Sequence, residues 1–487
     1  MMFVGLDLGT SSVKGILMTE GQQVIGSASA PLTVSRPHPG WSEQDPEDWW
    51  RASLAVLDAL AAAHPAEICA VEGIGLSGQM HGATVLDGAD RPLRPAILWN
   101  DTRSAAECVA LETAFPDIRR ITGNVVMPGF TAPKLIWLAR HEPDVFRRVE
   151  KVLLPKDFIR LRLTGEHVSD MSDAAGTCWL DVGRRAWSDQ ALEHCGLSRR
   201  QMPRLVEGGE VSGTLLPSVA ARYGMTRTVA IAGGGGDNAA AACGIGAVRP
   251  GDAFLSLGTS GVLFAPTARF APNTEAGVHA FCHAVPNMWC QMGVILAATD
   301  SLRWLSDLFG IDAPQLTDAL GDRLGGPGEA MFLPYLGGER TPHNQADLRG
   351  AFVGLGHATD RGALTRAVME GVAFAFRDCL RVLADAGTEI PRAWAVGGGS
   401  QSRLWLKIIA TVLDRPLDLP AGGELGAAFG AARLALCAVR QADTSSVCTP
   451  PPVAATIAPD REWTAAYDDA YGRYRRLYPA LKEFAQS

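Results

Sequence analysis

Three glycine-rich stretches and the carboxylates beside them mark where this chain can do chemistry. In Ile231-Ala232-Gly233-Gly234-Gly235-Gly236-Asp237-Asn238, an acid stands behind four glycines at the start of the Ala239–Ala242 run, which reads as helix. Glycines let another segment or a substrate come close to the backbone. The dipole of the following helix favours ionised Asp237, which can take a proton from a substrate hydroxyl, with a plain helix N-cap as the alternative. In Leu6-Asp7-Leu8-Gly9-Thr10-Ser11-Ser12-Val13-Lys14, a turn between two strands offers N–H groups and hydroxyls to phosphate oxygens. Asp7 suits Mg²⁺-bound water and Lys14 adds a cation, while a simple turn-forming role for Asp7 competes. The tripeptide returns as Gly258-Thr259-Ser260, again between strand-like runs. Ala395-Val396-Gly397-Gly398-Gly399-Ser400 then follows a short apolar strand and precedes a helix, a unit that receives a nucleotide's base or phosphates. It has neither GxGxxG spacing nor the Lys-Ser/Thr ending of a Walker loop, which disfavours a Rossmann dehydrogenase and a P-loop ATPase.

The elements that must position these residues are legible in outline. Residues 2–8, 13–19 and 24–30 predict an antiparallel meander. A helix is expected from Asp45, with Asp45 as cap, Pro46 in the first turn, and Trp49, Trp50, Leu54, Leu57 and Leu60 as its apolar stripe. Residues 70–77 read as a buried strand ending at Gly78-Gln79-Met80-His81-Gly82. A hairpin is expected around Asp87-Gly88, then a strand into Ile97-Leu98-Trp99 and a helix from about Asn100-Asp101. Two Gly-Thr-Ser hairpins, one near the start of each half, predict duplicated α/β domains over 1–244 and 245–487, with the boundary in the Gly- and Pro-containing stretch Gly244–Gly251. Leu425 to Ala431 reads as a small-residue helix, for core packing or for a tight domain interface, and a last helix is expected at about 461–484.

Composition narrows the function classes. The chain has 487 residues, 52 acidic against 44 Lys plus Arg, and a formal charge of −8, so no overall basic footprint for nucleic acid or an anionic membrane is present. With 47% hydrophobic and 20% charged residues it is an ordinary globular composition. The ten cysteines form no CxxC pair and read as reduced thiols of a cytoplasmic protein. Cys282-His283 with Cys290 matches no standard zinc spacing and reads as packed strand. Met1 to Asp7 carries no basic stretch and has a carboxylate inside its apolar run, unlike a signal peptide, and no apolar run reaches the ~20 residues of a membrane span.

Taken together, these parts resemble the FGGY carbohydrate kinases, from residue 3 to about residue 480. Phe130-Thr131-Ala132-Pro133-Lys134-Leu135-Ile136-Trp137-Leu138 is similar to the family's first signature, and Gly350-Ala351-Phe352-Val353-Gly354-Leu355-Gly356, running on to Glu370, to its second. Gly40-Trp41-Ser42-Glu43-Gln44-Asp45-Pro46, Gly78–Gly82, Trp99-Asn100-Asp101, Ser169–Thr177 and Gly338-Glu339-Arg340-Thr341-Pro342-His343 resemble its xylulose-phosphorylating members. Glycerol-phosphorylating members carry Asn-Gln-Arg-Glu where this chain has Gln79 to Gly82, which speaks against glycerol. Bulky Phe429 stands where relatives are expected to be smaller.

The resemblance implies two actin-like, hexokinase-like (ribonuclease H-like) ATPase domains with a cleft between them, and ATP-dependent phosphorylation of D-xylulose at O5 with Mg²⁺. It implies Asp237 as general base and Asp7 as the residue placing Mg²⁺. Met80 and His81 contact the sugar, with Asn100 and Asp101 nearby. Thr10, Ser11, Lys14, Gly258 and Thr259 surround the phosphates, and Gly398 and Gly399 face the adenosine. His81 as a satisfied core histidine and Glu339-Arg340 as a surface ion pair stay open as structural alternatives. So do kinases for ribulose, arabinitol or gluconate, and an actin-like conformational ATPase, which would need neither Asp237 on its loop nor the Gln79–Gly82 segment. The oligomeric state is open, with a homodimer one option.

Overall fold

The computed structural model describes residues 1–422 and 426–485. β1 (Met2–Leu8), β2 (Ser12–Thr19) and β3 (Val24–Pro31) form the expected antiparallel meander. α1 (Pro46–Ala63) follows, capped by the Asp45 carboxylate, which accepts the Glu47 N–H at 3.0 Å. Trp49, Ala52, Val56, Leu57 and Leu60 are buried on its inner face, whereas Trp50 and Leu54 are half-buried flanks of the stripe. β4 (Val71–Gly78) runs parallel to β1. After α2 (Pro155–Thr164) and the single turn α3 (Met171–Ala174) come β5 (Val211–Thr214) and β6 (Ala230–Ala232). The strand order is β5-β6-β4-β1-β2-β3, with β6 parallel to β4 and β5 antiparallel at the edge. Gly235 and Gly236 extend the pairing with β4, and α4 (Asp237–Ile245) leaves directly from them.

The second half repeats this plan. β7 (Phe254–Leu257) and β8 (Gly261–Thr267) form the second hairpin, and β9 (His279–Cys282) and β10 (Trp289–Ile295) extend it. After α5 (Arg361–Asp385), β11 (Ala393–Val396) lies parallel to β7. α6 (Arg403–Leu413) leads to β12 (Leu417–Pro420), parallel to β11; after α7 (Ala427–Arg440), β13 (Val453–Ile457) closes the edge antiparallel. The order β10-β8-β7-β11-β12-β13 matches β3-β2-β1-β4-β6-β5 strand for strand and direction for direction, with β9 added at one edge. α8 (Thr464–Ala485) ends the described chain. Cys282 and Cys290 are buried in adjacent paired strands, as expected of packed thiols. Among the described residues no helix is long and apolar enough to cross a membrane.

The Asp87-Gly88 turn closes a short hairpin: the Asp87 N–H donates to Arg91 O and the Leu93 N–H to Val85 O, each at 3.0 Å, and Leu86 is bridged to Pro92. Pro92 and Pro95 lack N–H donors, which keeps this pairing short, and the arms pair further with Lys151–Leu153 and Glu43–Gln44. One local expectation changes. The helix expected from Asn100-Asp101 begins only at Ala105, because Asp101 is committed elsewhere.

The two halves are locked by helices rather than merely joined at residue 245. The small-residue segment folds as α7 from Ala427; Leu425 lies outside the described residues. A side-chain carbon added at Gly5 would fall 1.9 Å from the Ala428 carbonyl oxygen, and one at Gly75 would fall 1.8 Å from that of Ala431, so α7 lies backbone to backbone on the first half's sheet. Gly430 meets the Ala240 carbonyl of α4 in the same way, at 1.7 Å. Ala242 and Ile245 of α4 share an apolar cluster with Phe254 and Phe264 of the second sheet. Phe429 is buried with Phe3, Ile16 and Met18, and the Arg433 guanidinium lies 4.4 Å over its ring, so the bulky side chain is accommodated.

Candidate active site

The four-glycine loop is shaped by the protein's own backbone. Gly234 has φ +74°, and a side-chain carbon there would sit 2.0 Å from the Leu76 carbonyl oxygen; one at Gly233 would sit 2.1 Å from that of Glu207. Only glycine permits both approaches. The loop delivers Asp237 as the first residue of α4, where its Oδ1 accepts the Asn238 backbone N–H at 2.7 Å and Asn238 Nδ2 at 3.0 Å. The helix dipole alone predicts an easily ionised acid. Instead, burial and then the charge of Asp7 push its carboxyl up to about 6, outweighing the two Asn238 donors.

Asp7 lies on β1 in register with Lys14 on one side and Ser77 on the other, and Ser77 Oγ donates to Asp7 Oδ1 at 3.1 Å. In the turn that follows, Gly9 N–H donates to Ser12 O at 3.0 Å. Ser11 and Lys14 are exposed. Thr10 is tied in: its hydroxyl donates to Gln79 Oε1 at 3.1 Å and accepts the Trp99 indole N–H at 2.9 Å. Gln44 Nε2 donates to the Thr10 carbonyl at 2.7 Å, and Gln79 Nε2 to Gln44 Oε1 at 3.0 Å. The phosphate-type turn and the Gln79–Gly82 segment are therefore one hydrogen-bonded unit. Gln44, Gln79 and Trp99 each lie in a family-like segment of the sequence, but their pairing with one another and with Thr10, across 34 to 89 positions, is not visible there.

Met80 packs over Gly236, where an added side-chain carbon would meet its Cγ at 2.9 Å. His81 has φ +71°, in the left-handed region. Its Nδ1 lies 2.7 Å from the Gly176 carbonyl, so Nδ1 carries the proton and Nε2 is an acceptor. Burial, with Lys134 next, pushes the imidazole down to about 3, so it is neutral. Phe130 and, from β9, Phe281 flank the ring at 4.7 and 6.2 Å between centroids. A neutral imidazole suits an uncharged hydroxyl better than a phosphate.

Asn100 is exposed. Asp101 is buried and fully engaged: Arg103 grips it through Nε at 2.9 Å and a terminal nitrogen at 2.7 Å, and Ser42 N–H donates at 2.6 Å. Glu339 and Arg340 do not form a surface ion pair. Glu339 is buried, accepts the Leu296 and Arg340 N–H groups at 3.0 and 2.8 Å, and is pushed up to about 8 by burial. Arg340 reaches His279 Nε2 at 3.3 Å.

In the second half, the Gly258 and Thr259 carbonyls accept N–H groups from Thr299 and Ala298, each at 2.9 Å. Gly397, at φ +89°, presses on the Leu257 carbonyl, and Gly399 is backed by Leu257 and Thr299, while the space beside Gly398 is open. The second hairpin and the third glycine turn are thus neighbours with room over the backbone. The structure brings Asp7, Thr10, Met80, His81 and Asp237 together around the ends of β1 and β4, and sets Asp101 behind them.

Two repeated α/β sheets, each with a glycine-containing turn after its first strand, define the two-domain fold of the actin-like ATPase class. Residues 2–244 match the N-terminal domain of the FGGY family of carbohydrate kinases and residues 253–439 its C-terminal domain; the chain belongs to that family and is a sugar kinase. It is 49% identical to a xylulose kinase of Escherichia coli strain K12 over 99% of both chains. It is 35% identical to a xylulose kinase of Bacillus subtilis strain 168, over 99% of this chain and 97% of that one. A crystal structure described as a "xyloylose kinase" from Brucella ovis superposes with a TM-score of 0.98 at 58% identity, covering 99% of this chain and all of that one.

Proposed function

We propose that this chain transfers the γ-phosphoryl group of ATP to O5 of D-xylulose, giving D-xylulose 5-phosphate and ADP, in the cytoplasm and in xylose catabolism. The likeness to xylulose kinases over nearly the whole chain supports the sugar. The observation that carries the mechanism is Asp237, delivered by the glycine loop beside Asp7 and Met80 with a carboxyl near 6. Such a group is ionised at neutral pH and still basic enough to take a proton. As the O5–phosphorus bond forms and the bond from the γ-phosphorus to the bridging oxygen breaks, the O5 proton passes to Asp237 and ADP leaves with the electron pair. A loose phosphoryl-transfer transition state asks little nucleophile activation, so orientation and water exclusion carry much of the rate.

His81 and Met80 hold the sugar, with Asn100 at the rim. Asp101, its oxygens taken, acts through Ser42 and Arg103 rather than by touching substrate. Thr10, Ser11, Lys14, Gly258 and Thr259 surround the phosphates, and Gly398 and Gly399 face the adenosine. The oxygen donors of Asp7 and its neighbour Ser77 suit a hard cation, and the repulsion between Asp7 and Asp237 is of the kind a cation relieves. Mg²⁺ held at Asp7 would neutralise phosphate charge. ADP release measured over a panel of pentuloses and polyols, with NMR of the product, tests the reading; turnover indifferent to every sugar, or phosphate on a carbon other than C5, would overturn it.

A further inference from the structure

The segment Ser169–Thr177 has no role in the reading above, yet it touches both sides of the proposed reaction centre. Its first contact is electrostatic. Lys156, in the first turn of α2, is fully buried, with Nζ 2.6 Å from Asp157, 2.6 Å from Asp170 and 2.9 Å from Asp173. The three carboxylates are spaced as metal ligands would be, but the ammonium already sits among them. Burial works against that ammonium, and the carboxylates outweigh it. A buried ion cluster is poor evidence for stability and better evidence that position is being fixed.

From this anchor a short relay runs to the base. Asp170 Oδ1 accepts the Ser172 N–H at 2.9 Å and the Ser172 hydroxyl at 2.5 Å. Ser172 Oγ in turn accepts the backbone N–H of Gly236, the residue before Asp237, at 3.0 Å. At the other end of the same segment, the Gly176 carbonyl takes the His81 Nδ1 proton at 2.7 Å. One rigid turn therefore holds the loop that presents the carboxylate and the imidazole that faces the sugar.

We propose that Asp170–Gly176, pinned by Lys156, is a positioning element that fixes the separation of Asp237 and His81, with Ser172 the residue through which it acts on Asp237. This rests on Asp237 as base and His81 as sugar contact. A base displaced by a fraction of an ångström still lets substrates bind but reacts slowly. Ser172→Ala is therefore expected to lower kcat about 10- to 50-fold with KM for sugar and ATP within about threefold and a near-normal melting temperature. Ser172→Thr, which keeps the hydroxyl, is expected to recover kcat to within about threefold of wild type. A kcat within twofold of wild type in Ser172→Ala overturns the proposal, as does a matching rise in both KM values without recovery by Ser172→Thr. Should Ser172→Ala fail to fold, Ser172→Cys, which keeps the size but weakens the acceptor, carries the same expectation, and a kcat within twofold of wild type overturns the proposal. Asp237→Ala, assayed alongside, separates the two readings. If it retains turnover, the base assignment falls whatever Ser172→Ala does; if it is inactive while Ser172→Ala is normal, only the positioning role falls.

Discussion

The two Gly-Thr-Ser hairpins have the same place in two matching sheets and different chemistry around them. In the first, Leu8 pairs with Val13 across a four-residue turn and Asp7 stands opposite Lys14; in the second, Leu257 pairs with Gly261 across three residues and Ser256 stands opposite Val262. Beyond the parallel strand next door, the first half continues into Gln79-Met80-His81 and the second into Gly397-Gly398-Gly399. Under the proposed function both turns are backbone cradles for phosphate, but only the first has charged residues on the strands beside it, and only the first is followed by Gln79-Met80-His81 and the Asp237 loop. A site that holds ATP on backbone N–H groups needs no basic surface, which fits the net charge of −8.

The sharpest way to break this asymmetry is to remove its carboxylates and their counterpart in turn. Asp237→Ala is expected to lower kcat by 10²- to 10⁴-fold while ATP binding, followed by calorimetry, persists; near-normal turnover would refute its role. Asp7→Asn should cost about 10- to 100-fold and raise the Mg²⁺ needed for half-maximal rate, whereas Ser256→Ala, at the equivalent position, should stay within about threefold. Equal losses at the two positions would mean that the hairpins share the work. The pH profile gives a third comparison. Asp237 must be ionised to act, so kcat/KM for the sugar should fall about tenfold per unit below about pH 6. Because Asp7 raises that value, Asp7→Asn should move the acid limb lower, and an unmoved limb would show that Asp7 is too distant to matter. Smallest is a stability effect. Asp237 has its folded value raised, so its ionised form destabilises the fold above about pH 6, and Asp237→Asn should raise the melting temperature by a few degrees at pH 7.

Much of this was legible because the signals are local. Alternation and a glycine turn mark the meander, Asp45-Pro46 marks the α1 start, and four glycines before an alanine run mark the Asp237 loop. What was illegible depended on partners far away in sequence. Asn100-Asp101 reads as the start of a helix until Arg103 and Ser42 claim Asp101. The dipole on Asp237 is visible from composition, but its burial and its distance from Asp7 are not. Thr10, Gln44, Gln79 and Trp99 become one network only after the strands are aligned.

The helix exchange between halves has a consequence for how this molecule can be taken apart. Cut at residue 245, the first fragment would present Gly5 and Gly75 on a bare sheet face shaped for α7, and the second would carry α7 with nothing to lie on. Each piece is therefore expected to need the other in order to fold, so dividing the gene into two separately synthesised chains should succeed only where the pieces meet before either aggregates.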